Sequence, residues 1–292
     1  MSMHKFLKSI GFSDMKRRDV EMLLTELIRH PDTIKASTDS EGAEYVELSC
    51  QYGPGFGIMI RGTYNERDEF QMDYYYPFLE PYQMSTEEFV DIEKHAEKES
   101  YAGVCDDYRL GVTLIFYLQN VVDYLAEQKL RGPKERRRGA MLSALASEGK
   151  IVLPVQNGKE DVIVELQKRL EYNKLMSQAR DGNEEAIANL ALEDMDTYAM
   201  LSQRVEKEDL LSIISSTFMP YGIESDQYSI IGEISAVVEA ENRISHEKIY
   251  ILGILCNDMV FDICINAKDL FGKPEIGRRF KGNIWMQGKI VS

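Results

Sequence analysis

The chain has 292 residues, 44% hydrophobic and 28% charged, and a net charge of −15 at pH 7. That length suggests two or three domains of about 100–200 residues, and the composition excludes a disordered chain. So negative a total argues against general attraction to phosphate backbones or anionic lipid, although a local basic patch could override it.

The N-terminal stretch "MSMHKFLKSIGFSDMKRRD" has no apolar h-region and does not read as a secretory signal. After "GFSD", Val20, Leu23, Leu24, Leu27 and Ile28 recur at helical spacing, which predicts an amphipathic helix that Pro31 ends. Three strand-like runs follow: "AEYVELSCQY", "FGIMIRGTY" and "EFQMDYYYPF". In the first, Tyr45, Glu47, Ser49 and Gln51 alternate with Val46, Leu48, Cys50 and Tyr52, the period of a half-buried strand. With turns at "GPG" and "NERD", the expectation is an antiparallel meander with the helix on one face.

Ser85-Thr86-Glu87-Glu88 reads as a helix start near Phe89, and a longer, mostly apolar helix is expected from about Asp107 to Glu127. Its core, Leu110 to Val122, is the longest uncharged apolar run and is short of the roughly 20 residues of a bilayer span. "KLRGPKERRRG", with Gly132 and Pro133, marks a domain boundary. Beyond it come a short helix at "AMLSALAS", a short strand "KIVLPV", and then helix almost throughout until about residue 225.

The C-terminal part reads as four strands: "YSIIGEISAVVEA", "KIYILGILC", "MVFDICIN" and "FKGNIWMQGKIV". A two-residue turn at Asn257-Asp258, both tolerant of positive φ, would pair Cys256 with Met259, Ile254 with Phe261, Leu252 with Ile263 and Tyr250 with Ile265. A one-residue slip would scramble this apolar face, so the sorting supports the register. It also sets Cys256 and Cys264 on opposite faces, against a disulfide. In the last strand Phe280, Ile284, Met286 and Ile290 should point inward.

Lys281, Asn283, Trp285, Gln287 and Lys289 then share the other face, with Arg278 and Arg279 in the preceding turn. From 268 to 289 there are six basic residues against two acidic ones. A lone indole beside lysines is one way single-stranded nucleic acid is stacked. Such an indole is more often covered by packing, and a protein-binding face is the next reading. Tyr74, Tyr75, Tyr76, Phe78 and Tyr82 could line a groove for a sugar or peptide, although alternate tyrosines on both faces of a strand account for them.

Glu193, Asp194 and Asp196 are the best acidic cluster, and a hydrolase could use them. They fall where a helix begins, a place that favours carboxylates without any chemistry. "QYGPGFGIMI" lacks the Lys-Ser/Thr of a phosphate loop. The four cysteines, at 50, 105, 256 and 264, form no C-x-x-C, and His4, His30, His95 and His246 have no spaced partners. No catalytic residue, metal or cofactor is assigned, and free thiols suit a reducing cytoplasm.

"MHKFLKSIGFSD", "DYRLGVTLIFYLQN", "ARDGNEEAIANLALEDMDTYAMLSQRV", "FMPYGIESDQYSIIGEI" and "GRRFKGNIWMQGKI" together resemble a bacterial domain-of-unknown-function family of Gram-positive anaerobes, nearly full length from Met3. The resemblance implies no activity, ligand or site residue.

The expected fold is α+β: an N-terminal antiparallel meander with packed helices (1–130), a helical middle segment (131–225) and a small curled β-sheet or barrel-like domain (226–292). The expected function is that of a non-enzymatic cytoplasmic interaction or regulatory protein, off the membrane. Its partner would be another protein or a second copy, with nucleic acid as the alternative. Trp285, Lys281, Lys289, Arg278, Arg279, Tyr74 and Tyr76 are the candidate surface.

Overall fold

The structure is a computed structural model that describes residues 3–38, 42, 44–94, 100–131, 137–154, 174, 175, 178, 183, 185, 186, 188, 189 and 215–291. Among these the protein is mostly β, built from a four-stranded and a ten-stranded sheet. This overturns the expected α+β fold with packed helices, and the described ends of the expected helical middle, Arg137–Val152 and Thr217–Pro220, are strand. Most of that middle segment, including Glu193, Asp194 and Asp196, lies outside the described residues.

The first half of the meander reading holds. A 3-10 helix (Lys5–Ile10) and α1 (Arg17–Arg29) precede β1 (Thr33–Thr38), β2 (Glu44–Gly53), β3 (Phe56–Tyr64) and β4 (Phe70–Leu79). These strands form the antiparallel four-stranded sheet in chain order. Val20, Leu24 and Leu27 of α1 bury into the same cluster as Val46, Leu48, Cys50 and Tyr52. The other face of β2 departs from a half-buried strand: Glu47 and Ser49 are buried as well.

The larger sheet replaces three predicted helical stretches. Ser85-Thr86 opens β5 (Met84–Lys94), not a helix. The Thr86 hydroxyl donates to Asp107 at 2.7 Å. The expected 107–127 helix divides into a turn, β7 (Leu114–Leu118) and α2 (Val121–Arg131), with β6 (Tyr101–Cys105) before it. Gly111 sits at φ +68°, outside helical geometry, and the β-branched and aromatic run after it suits a strand. A run apolar on all sides fits a doubly covered strand as well as a buried helix, and only its partners decide.

"AMLSALAS" and "KIVLPV" are one strand, β8 (Arg137–Val152). Its alanine and leucine content favours helix, but pairing along both edges overrides that modest preference. Ala140, Ala144 and Ala146 are fully buried, and a Cβ on Gly149 would lie 2.3 Å from the Phe280 ring. Small residues are required where two curved lobes of sheet meet.

The remaining strands are β9 (Thr217–Pro220), β10 (Gln227–Glu241), β11 (Lys248–Cys256), β12 (Met259–Asn266), β13 (Leu270–Phe271) and β14 (Arg279–Ile290). β8 pairs with β14 from Ala140 to Val152, with β5 at its start and with β12 and β13 farther on. β14 pairs with β10 first and β7 last. The pairings close two circuits that share the β8–β14 ribbon: one through β10, β11 and β12, the other through β7, β6 and β5. Closing a sheet on itself removes free strand edges. The fifth strand of the C-terminal circuit is thus β8, which begins within "GPKERRRG" and lies outside the expected 226–292 domain.

The β11–β12 hairpin has the predicted register, Cys256 opposite Met259 through Tyr250 opposite Ile265, with Asn257 at φ 48° and Asp258 at φ 59°. Asp258→Val is expected to destabilise the protein by about 1–2 kcal/mol in urea titrations, because a β-branched residue resists positive φ. Asp258→Gly should not, since its Cα carries no side chain to clash.

Phe280, Ile284, Met286 and Ile290 join the core inside the closed sheet together with Val121, Val122 and Leu125 of α2. Trp285, Leu145, Ile249, Ile251 and Cys264 point the other way, into a second core with Phe6, Leu7 and Ile10. The N-terminal 3-10 helix covers this face, and the buried Ser9 hydroxyl fixes it by donating to the Ala146 carbonyl at 2.8 Å.

Candidate functional site

Between β1 and β4 the register aligns Lys35, Glu47, Arg61 and Tyr74 in one cross-strand row. The next row is Thr33, Ser49, Met59 and Tyr76. Residues directly opposite share a face, so this face of the meander carries charge and hydroxyls where its reverse carries aliphatic groups. Its centre is covered: Arg61 is 0% exposed and Glu47 3%.

Arg61 is held from all sides. Its guanidinium lies 2.9 Å from Glu47, donates to the Tyr74 hydroxyl at 2.7 Å and the Tyr76 hydroxyl at 3.2 Å, and reaches the Leu118 carbonyl at 3.1 Å. The rings of Tyr45, Tyr74, Tyr76 and Tyr117 stand 5.1–5.6 Å from it, within cation–π range. Burial opposes the guanidinium's charge, but the tyrosine oxygens and Glu47 more than offset it, and its pKa lies well above the ordinary arginine value. Burial drives the hydroxyls of Tyr45, Tyr76 and Tyr117 far above the usual phenol range, although Arg61 pulls them down. Burial also raises Glu47 against the pull of Arg61 and Lys35. The cage therefore holds a permanent cation and neutral phenols.

A chain of buried amides extends from this cage. Gln119 donates to the Leu79 carbonyl and to Gln287 Oε1, both at 2.9 Å, and Gln287 donates to the Pro77 carbonyl at 2.9 Å. Asn120 exchanges two hydrogen bonds with the backbone of Ile290. These bonds clamp the end of β4, the β7–α2 corner and the end of β14 together.

Where the clamp meets the meander a pocket of about 350 Å³ opens. Glu47, Ser49, Tyr76, Phe78, Gln119 and Asn120 line its wall, and Asp32, Lys35, Gln51, Glu80 and Lys289 also contribute. Lys289 pairs with Glu80, and Lys35 with Asp123 at 2.8 Å. The Gln51 backbone N–H holds Asp32 below the usual carboxylate range, with a smaller pull from Arg243. The pocket thus has fixed polar groups and a partly aromatic wall.

The candidate residues from the sequence divide between two places. Tyr74, Tyr76, Trp285 and Lys289 converge here: Trp285 lies 5.3 Å from Tyr117 and 6.3 Å, edge-on, from Tyr76. The indole is 5% exposed, stacked on Phe6 at 5.5 Å, with its N–H donated to Asp226 at 2.7 Å. It is packed, not presented. Arg278 pairs with Glu275, the buried Arg279 donates to the Leu153 carbonyl, and Lys281 stands opposite Lys150. Arg278 precedes β14, while Arg279 and Lys281 share the alternation of Trp285 near the start of the strand, away from the pocket.

Arg61, Glu47 and Gln119 were not singled out from sequence. The first two were within reach, because centring the β2–β3 turn on Pro54 puts Glu47 opposite Arg61. Gln119 carried no such signal, since its partners are 40 and 168 residues away. Among the described residues no group of three or more His, Cys, Asp or Glu side chains is placed to hold a metal. No helix among them is long and apolar enough to cross a membrane.

A family model described as a domain of unknown function, from an E. rectale gene description, matches residues 7–288. No curated protein and no solved structure matches the chain.

Proposed function

We propose that this chain, which belongs to the DUF3881 family of domains of unknown function over residues 7–288 of its 292, is a non-enzymatic regulatory protein that binds a small molecule in the Glu47–Gln119 pocket. The observation that carries this reading is preorganisation. The polar wall is pinned by a buried hydrogen-bond network that joins the meander to the closed sheet, so a ligand meets a framework already in place and needs only small side-chain adjustments.

The same fixity favours binding over chemistry. The phenols here are driven far above the working pH, both pocket lysines are paired, and Glu47, although burial raises it, is held in an ion pair by Arg61. Because the pocket bridges the two sheets, occupancy would tighten their junction, which is a route from ligand to a regulatory output.

The test is a thermal-shift screen of the full chain against a library of small polar metabolites. A ligand at 100 times its Kd should stabilise the protein by about 2.7 kcal/mol, a shift of several degrees. If no compound gives a saturable shift that a bulky Gln51→Phe substitution at the pocket edge removes, the reading fails. A protein partner or self-association is the second reading. It is favoured by Leu153, Phe271 and Ile276, large apolar side chains exposed where β8, β13 and the turn before β14 come together.

A further inference from the structure

We propose that the ligand carries a protonated amine, seated against the side-chain oxygens of Glu47 and Gln119; this rests on the reading of the pocket as the binding site. Two buried acceptors there lack a donor. Gln119 spends both N–H groups on Leu79 and Gln287, which fixes the amide orientation and leaves its Oε1 without a hydrogen-bond partner. Glu47 Oε1 also has none, because its 2.9 Å approach to Arg61 is an ion pair without hydrogen-bond alignment. The two side chains are 3% and 4% exposed, and both line the pocket.

The complement is therefore a group with several donors and a positive charge. An ammonium has three N–H bonds and no acceptor, so it supplies the kind of donor that each of these oxygens lacks. Arg61 already meets the charge of Glu47 from behind the wall, and the cations that line the pocket are engaged elsewhere, Lys289 with Glu80 and Lys35 with Asp123, so neither gives Glu47 Oε1 an N–H. An anionic ligand would find both of these lysines of the lining already engaged. Tyr76 and Phe78 offer ring faces that favour a cation, and the net charge of −15 attracts one from solution.

Volume bounds the rest of the molecule. At about 30 Å³ per non-hydrogen atom, the liquid-water share, the pocket takes roughly ten such atoms. Both acceptor oxygens are buried at the wall, so seating the amine requires a small side-chain shift to uncover them. Tyr76 is part of that wall and touches the single tryptophan, so the shift has an optical reporter.

The experiment titrates the full chain with phenethylammonium, phenylacetate and 2-phenylethanol, three probes of similar size and different charge. Trp285 emission and thermal melting are the readouts. The expected result is a saturable change and a raised Tm with the ammonium alone. Binding should be at least tenfold weaker in Glu47→Gln, and absent in Gln51→Phe, which leaves the buried network intact. Phenylacetate or phenylethanol binding as tightly, and lost in Gln51→Phe, would overturn the amine while leaving the pocket reading in place. No saturable change with any of the three would overturn it too, and the metabolite screen then judges the pocket separately. An ammonium response that survives in Gln51→Phe would put the binding elsewhere and likewise overturn the proposal. If Glu47→Gln does not fold, the Gln51→Phe arm and the three-probe comparison still decide.

Discussion

Replacing Arg61 with methionine is expected to destabilise the protein by about 3–5 kcal/mol, a large share of the 5–15 kcal/mol typical of a folded protein. Most of that loss comes from what remains. Glu47 is 3% exposed and would keep a buried charge with its nearest counter-ion gone, and Tyr74 and Tyr76 would each lose a donor. Removing both partners should recover much of the deficit, because a pair of apolar side chains needs no desolvated charge. Urea denaturation of Arg61→Met, Glu47→Leu and the double variant makes the comparison. A double variant as unstable as the sum of the singles would mean that the pair is not the coupled unit described here.

The same variant has a pH signature. Burial already raises the folded-state pKa of Glu47, and loss of Arg61 would raise it further. A raised folded value means that the folded state holds the proton more tightly than the unfolded chain. That contribution is whole below the unfolded value of about 4.3 and fades as the pH rises through the folded one. The deficit of Arg61→Met should therefore be smaller at about pH 5 than at about pH 8. Equal deficits would place Glu47 in contact with water.

Trp285→Ala is the second large effect, at about 3–5 kcal/mol from the lost side chain and the cavity it leaves. The indole stacks on Phe6, packs against His4 and Tyr117 and holds Asp226, so its removal loosens the N-terminal 3-10 helix and the cage together. Trp285→Phe should lose less, since it keeps most of the apolar volume but not the N–H. Were the indole an exposed platform, either substitution would fall within about 0.5 kcal/mol of wild type in thermal or urea melts. Its packed position is why the lysines of β14 gain no aromatic companion for stacking a base.

How far the sequence could be read depended on the range of the deciding contacts. The β11–β12 hairpin was legible to the residue because its turn is two residues long and its apolar face tolerates one register. Helix α1 and the meander were legible for the same reason, each governed by spacing within a few residues. β8 was not: Ala144 and Leu145 have helical preferences of their own, and they are strand because β12 and β14, more than a hundred residues later, pair with both edges. The candidate site was half visible. Tyr74, Tyr76, Trp285 and Lys289 drew notice as unusual side chains, but Arg61 and Gln119, which organise them, looked like ordinary surface residues.

By itself the sequence determined which residues of β14 share a face, where the last hairpin turns and which face of α1 is apolar, because periodicities of 2 and 3.6 are local consequences of backbone geometry. Only the tertiary structure decided what lies on each face. Whether the Glu47 face and the Trp285 face meet water or another layer depends on segments far apart in the chain, and no local period encodes the distance between them.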